Sequence, residues 1–291
     1  MQLAIHTGAH FCEEERLIKC LLRNKSEFSK QGIATPGPGK YRKLLKETLG
    51  AMKESPAAEG ARDVLLDMII DEENADRLIL SHAHLFGAPR AGVRNGMMYP
   101  TGPERMGQLR RLFPGDEIEI FMAMRNPATF LPAMFASSPK TTMASYLGTT
   151  DPCEIRWSDT IHAIREAVPN MPITVWCNED TPLIWAQIIR EIAGLDLGAE
   201  IVGPYDLLAD IMSPEGMQRF EAYLKSHPNM TEIQKRRVIS AFLDKFALEG
   251  EIEEELDVPG WTEDLMDEMT EIYDEDMLEI QRIPGVTMIA P

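Results

Sequence analysis

The sequence predicts an α/β protein: a doubly wound, parallel sheet of roughly five strands with helices on both faces, followed by a helical C-terminal stretch. Three observations predict it. Short apolar runs of strand length alternate with helical segments over about the first 200 residues. Gly and Pro breakers and helix caps fall between these runs. From Ser213 onward strand signals stop until a short run at Val286–Ile289.

Each element has its own signal. Residues 3–5 (Leu-Ala-Ile) form an apolar run that meets Gly8. Leu17, Leu21, Asn24 and Phe28 then recur at helical spacing until Gly32 supplies a stop, which reads as strand, tight turn, helix. Ile33, Ala34 and Thr35 form a short edge strand before the breakers Pro36, Gly37, Pro38 and Gly39. A basic helix start follows, with Lys40, Arg42, Lys43 and Lys46. A helical segment over residues 61–71 leads to Leu78, Ile79 and Leu80, continuous enough for a buried parallel strand. After Pro114-Gly115-Asp116 comes a strand over residues 118–124, ending at Arg125-Asn126-Pro127, where a helix begins. Pro172 precedes a further strand through Ile173, Val175 and Trp176, and Thr181-Pro182 caps and starts a helix that runs to Gly194. Ser213-Pro214 starts one C-terminal helix, and Asn229 and Glu232 have capping-box spacing for a second. Thr262 caps a third, with Met266, Met269, Tyr273, Met277 and Ile280 on one face. The implied division is an α/β core over residues 1–205 and a helical, acidic subdomain over residues 206–291, its Met-rich face packed on the core or on a second copy of the chain.

Composition narrows the function classes. With 291 residues, 44% hydrophobic and 26% charged, the chain can bury a sizeable core. Of its net charge of −18, fifteen carboxylates fall between Glu249 and Glu279 with no Lys or Arg among them, so the rest is close to neutral. Nucleic acid is a poor partner for such a tail. Cys12, Cys20, Cys153 and Cys177 show no Cys-x-x-Cys spacing and the N-terminus carries no leader pattern, which predicts a reduced, cytoplasmic setting. No apolar run approaches the ~20 residues of a membrane span.

The turn after the first strand is the candidate site, because ligands of open parallel sheets bind at the carboxyl ends of the strands and a helix N-terminus offers N–H groups to an anion. Phosphate-cradling turns carry glycines, a Lys and a Ser or Thr. This one reads Phe11-Cys12-Glu13-Glu14-Glu15, whose carboxylates complement the helix dipole themselves and repel a phosphate. A second constellation uses histidines: His10 after the first strand and His82 and His84 after its neighbour converge at the carboxyl edge, ligand types suited to zinc in a metal-dependent hydrolase. Their spacing matches no standard metal signature, so the expectation is no metal.

The frame resembles a known family. His6-x-Gly8-Ala9, with Leu17, Leu21, Leu22 and Asn24 beyond, is similar to the opening of the sulfotransferases, P-loop proteins that use 3'-phosphoadenosine 5'-phosphosulfate (PAPS). The family's Lys-Thr/Ser-Gly-Thr-Thr positions are Phe11 to Glu15 here, all replaced. Arg77 to His82 resembles the family strand ending Lys-Thr-His, with Leu80 in place of the Lys. Arg125 resembles the family's 3'-phosphate arginine, with Ala133 where its Ser stands eight residues on and Ser137 a little further. The resemblance implies a P-loop-type sheet of order 2-3-1-4-5 and sulfuryl transfer from PAPS to a small-molecule hydroxyl. It implies His82 as the base, and Gly8, Ala9, His10, Arg125 and Ser137 around the cofactor. Arg16, Lys19, Lys40 or Arg42 would replace the missing Lys only where the fold brings them in. The alternative that the replaced positions imply is a catalytically degenerate member that keeps the scaffold and binds another ligand or protein, with a carboxylate of residues 13–15 or the Phe11 ring filling the phosphate position.

Overall fold

The computed structural model describes residues 1–13, 15–72, 74–252 and 258–291. Eight strands form along the described chain: β1 Gln2–His6, β2 Ile33–Ala34, β3 Arg77–Ser81, β4 Val93–Arg94, β5 Met97–Met98, β6 Glu117–Met124, β7 Ile173–Cys177 and β8 Val286–Ile289. Six of them make one sheet in the order β2-β3-β1-β6-β7-β8, every neighbouring pair parallel, while β4 and β5 make a separate two-residue antiparallel ribbon. Counted along the sheet this is 2-3-1-4-5 with a sixth strand added at the far edge. β1 is central, Leu3 facing Leu78 on one side and Ile118 on the other.

Helices cover both faces. Over one face lie α3 Pro38–Ala51, α4 Ala61–Ile69, α5 Gly102–Leu112, α6 Pro127–Ala136 and α8 Trp157–Ala167, joined by α14 Glu263–Ile280. Their side chains pack with Leu3, Ile5, Leu78, Leu80, Ile120 and Val175 in the main core. Over the other lie α1 Arg16–Arg23, α2 Lys25–Ser29 and α9 Thr181–Ala193, packed on Ala4, Ile79, Phe121 and Trp176. Alternate residues of each strand go to opposite faces, which is why the strands read as continuous apolar runs. The remaining helices are short α7 Met143–Leu147, then α10 Asp206–Ile211, α11 Pro214–Ser226, α12 Glu232–Phe246 and α13 Glu249–Ile252. Leu208, Phe220 and Ile239 build a small satellite core between α10, α11 and α12. No described helix is long and apolar enough to cross a membrane.

Several expectations change. The first helix is not continuous to Gly32. It breaks at Asn24, whose carboxamide donates to Cys20 O and Val202 O at 2.9 Å and accepts from Val202 N at 2.7 Å, so a long-range clamp interrupts the local periodicity. The α12 capping box is Thr231 with Gln234, not Asn229 with Glu232. Thr181 is the first residue of α9, after the N-cap Asp180.

The division at residue 205 separates two elements from the core to which they belong. β8 pairs with β7, Ile173 facing Val286, and α14 packs against α6 and α8 of its own chain. Met269, Tyr273, Met277 and Ile280 are buried, as the periodicity predicts. Trp261 Nε1 donates to Ala128 O at 2.7 Å and the Tyr273 hydroxyl to Met124 O at 3.0 Å. One acid of the carboxylate-rich stretch is buried: Asp276 accepts from Trp157 N at 2.7 Å, capping α8. Glu253, Glu254, Glu255 and Asp257 of the expected acidic run lie outside the described residues.

If α14 is part of the main core, Ile280→Ala lowers the stability of the whole molecule by about 2–5 kcal/mol, the cost of truncating a buried aliphatic side chain. Urea unfolding followed at once by tryptophan fluorescence and far-ultraviolet dichroism should move as one transition to lower denaturant. A separate early transition, with the remainder unmoved, would show that α14 melts by itself.

Candidate functional site

The turn after β1 does not leave the sheet at once. Thr7 N donates to Phe121 O, Ala9 N to Ala123 O, and Ala123 N back to Gly8 O at 2.7 Å, so residues 7–9 continue along β6. Gly8 has φ +101°, and a Cβ there would lie 3.2 Å from His10 N and 3.5 Å from the Ala83 backbone, so the close approach of the loop after β3 requires the glycine. His82 N donates to His6 O at 2.8 Å and ties that second loop to the first. Parallel pairing of β1 with β3 thereby sets His10, His82 and His84 at one carboxyl edge: the His10 and His84 ring centroids are 4.8 Å apart, those of His82 and His84 6.5 Å.

The rest of the edge closes around these rings. His10 Nδ1 lies 2.7 Å from the Tyr99 hydroxyl and its Nε2 3.1 Å from His84 Nδ1. Tyr99 follows the β4–β5 ribbon and is wedged against Phe86, Phe130 and Trp157. From α3, Tyr41 donates to Ser81 O at 2.8 Å and Arg42 Nε to the same carbonyl at 2.9 Å, while Arg42 Nη1 pairs with Glu15 at 2.8 Å. Of Arg16, Lys19, Lys40 and Arg42, the fold brings in Arg42. Lys40 pairs with Asp71, Arg16 bonds Asp210 at 2.8 Å, and Lys19 is exposed.

The acidic turn is not a solvated run. Glu13 is buried, and its Oε2 accepts from Leu17 N at 3.1 Å in the first turn of α1, while Oε1 stands 3.9 Å from His6 Nδ1. A carboxylate of the chain itself therefore occupies the anion position of that helix. Phe11 leaves its ring 38% exposed and its carbonyl accepts from Arg125 Nη1 at 2.6 Å. Glu14 lies outside the described residues.

Burial governs the titration of the cluster. It pushes the Glu13 carboxyl up to about 7, and it brings His6, His10 and His82 down to about 4, His10 with help from His84 and His82 with help from the Arg42 charge. All three histidines are neutral at physiological pH.

Of the residues marked from sequence, Gly8, Ala9, His10, His82 and Arg125 meet at this edge. Arg125 is buried and bonded to Phe11 O and to Thr129 Oγ1 at 2.9 Å. Ser137 is not part of it: its hydroxyl donates to Met134 O at the C-terminal end of α6, about 17 Å along the helix from Asn126 at about 1.5 Å per residue. The histidines converge as expected, yet both ring nitrogens of His10 are engaged by Tyr99 and His84. Among the described residues no group of three His, Cys, Asp or Glu is placed to share a metal ion. Tyr99 escaped the sequence reading because it comes from a segment with only two-residue strands. A cavity of about 690 Å³ opens at the opposite, amino-terminal edge beside Gln2, Arg110 and Met171. Arg77 there is bonded to Gln2, Glu119 and Ile192 O, and no unpartnered polar side chain marks that cavity among the described residues.

Glu13 makes the stability of the chain depend on pH. Its carboxyl holds a proton more tightly in the folded chain (about 7) than at its ordinary 4.5, so its contribution to stability is present below pH 4.5 and lost as pH rises through 7. Glu13→Gln keeps an acceptor for Leu17 N and cannot ionise. The variant should match the native protein near pH 4.5 and exceed it by up to about 3 kcal/mol at pH 8, measured by urea unfolding at both values. Equal stability of the two proteins at pH 8 would mean that the carboxyl is not held in this buried position.

No protein-family model, curated protein or solved structure matches the chain.

Proposed function

We propose that this protein is a sulfotransferase-like, P-loop-type scaffold whose nucleotide site is closed, and that it binds a different small ligand at the histidine edge. The observation that carries this reading is the Glu13 carboxylate on Leu17 N, at the helix N-terminus where a 5'-phosphosulfate would have to sit. The residues present do not fit that group. Phe11 stands in the place of the Lys, and the position is filled by an acceptor where the leaving phosphate would need donors. Arg125, the match to the 3'-phosphate arginine, donates to Phe11 O and Thr129 Oγ1. The strand order around β1 supports the scaffold part of the proposal.

One observation favours the second reading, sulfuryl transfer to a hydroxyl with His82 as base: His82 Nδ1 is buried with no hydrogen-bond partner, which leaves a lone pair on a neutral ring. Calorimetric titration with 3'-phosphoadenosine 5'-phosphate separates the two. The closed-site reading expects no binding up to millimolar nucleotide, for the native chain and for Glu13→Gln alike. Saturable binding to the native chain that disappears in Arg125→Ala, with the variant still folded by circular dichroism, would overturn it in favour of the transferase.

A further inference from the structure

His84 is exposed, whereas His6, His10 and His82 are buried behind it. Its protonation state follows from the hydrogen bonds beneath it. The Tyr99 hydroxyl oxygen accepts from the His10 backbone N–H at 2.9 Å. Tyr99 is fully buried, so its own O–H must be given away, and the acceptor in reach is His10 Nδ1 at 2.7 Å. His10 Nδ1 is then the bare nitrogen, and the neutral ring carries its hydrogen on Nε2. That N–H points at His84 Nδ1, 3.1 Å away, with the Gly87 backbone carbonyl also within reach of the protonated ring edge. His84 Nδ1 is an acceptor in turn, and its hydrogen lies on Nε2, the nitrogen turned away from His10. One buried phenol thus orders two imidazoles.

The groups that act on His84 are Arg42 and Lys46 of α3, both positive, and Glu15, negative and paired with Arg42. His10 and His82 beside it are neutral. Arg42 and Lys46 are four residues apart and so share one helix face. Partial burial and the Arg42 charge both lower the His84 pKa from its ordinary 6.5. Protonating it would also place a second hydrogen against the His10 Nε2–H.

We propose that this edge is an oxyanion-binding site, in which His84, fixed as a neutral Nε2–H donor by the Tyr99–His10 chain, gives a hydrogen bond and Arg42 and Lys46 supply the positive field. The ligand class is a small molecule bearing a sulfate, phosphate or carboxylate group. This deepens the closed-site reading by naming what the histidine edge takes. A neutral donor binds an oxyanion without transferring a proton to it, so affinity stays level across neutral pH, unlike that of a site built on an imidazolium.

Nitrogen-15 spectra of the full chain labelled at histidine test this, with inorganic sulfate as the probe. The expected result is a His84 ring with a protonated Nε2 and a bare Nδ1, unchanged between pH 7 and 8, that shifts on adding sulfate with affinities within about twofold at the two pH values. In Tyr99→Phe the order is lost: the His84 ring samples both neutral tautomers, and its Nε2 and Nδ1 resonances move toward each other. The proposal is overturned if native His84 carries its hydrogen on Nδ1, if it titrates at or above its ordinary 6.5, or if about 50 mM sulfate leaves its resonances unmoved. These native-chain readings decide the matter even if Tyr99→Phe does not fold. Nucleotide binding at the turn would remove the closed-site reading while leaving the His84 tautomer where it is, so the two failures are distinguishable.

Discussion

Pairing of β1 on both sides is the constraint on which the rest depends. A strand held in parallel register by β3 and by β6 can end in only one place, and the loops after β1 and β3 must then emerge side by side. Parallel strands need crossover helices, which is how α1 and α2 come to cover one face and α3 and α4 the other. The convergence of His10 with His84, of Glu15 with Arg42 and of Gly8 with the Ala83 backbone follows from that single registration.

In a chain of net charge −18, several acids are used inside the fold, and they share a location. Glu13 accepts from Leu17 N in α1, Asp276 from Trp157 N at the start of α8, and Glu179 from Asn126 N at 2.8 Å, the N-cap of α6. The first N–H groups of a helix have no partner within it and carry partial positive charge, so a buried carboxylate finds there the donors it loses in leaving water. Burial still raises the pKa of all three. The donors reduce the penalty of burial without cancelling it. Two of the three caps come from distant parts of the chain, and they fasten α14 and the end of β7 to the helices they touch.

The C-terminal region illustrates how a pattern and its partner differ in legibility. Met269, Tyr273, Met277 and Ile280 announce an apolar face, since three- and four-residue spacing puts them on one side of a helix whatever surrounds it. That the face is covered by α6 and α8, and that β8 continues the parallel sheet beyond β7, is a matter of long-range pairing that leaves no trace in local spacing.

The same boundary runs through the candidate site. The alternation of strands and helices, the glycine at the first turn, the three histidines near the strand ends and the absence of phosphate-cradling residues at positions 11–15 are all legible in the amino-acid order, because each is a property of residue type and near-neighbour spacing. It takes the packed fold to turn Glu13 inward to the α1 N-terminus, to bring Arg42 rather than Lys40 or Lys19 into the site, to leave Ser137 at the far end of α6, and to carry Tyr99 from beyond the β4–β5 ribbon to bond His10. Those outcomes depend on which buried donor meets which buried acceptor across separations of up to 89 residues, a pairing set by the sheet's registration and by the cost of leaving either group unsatisfied.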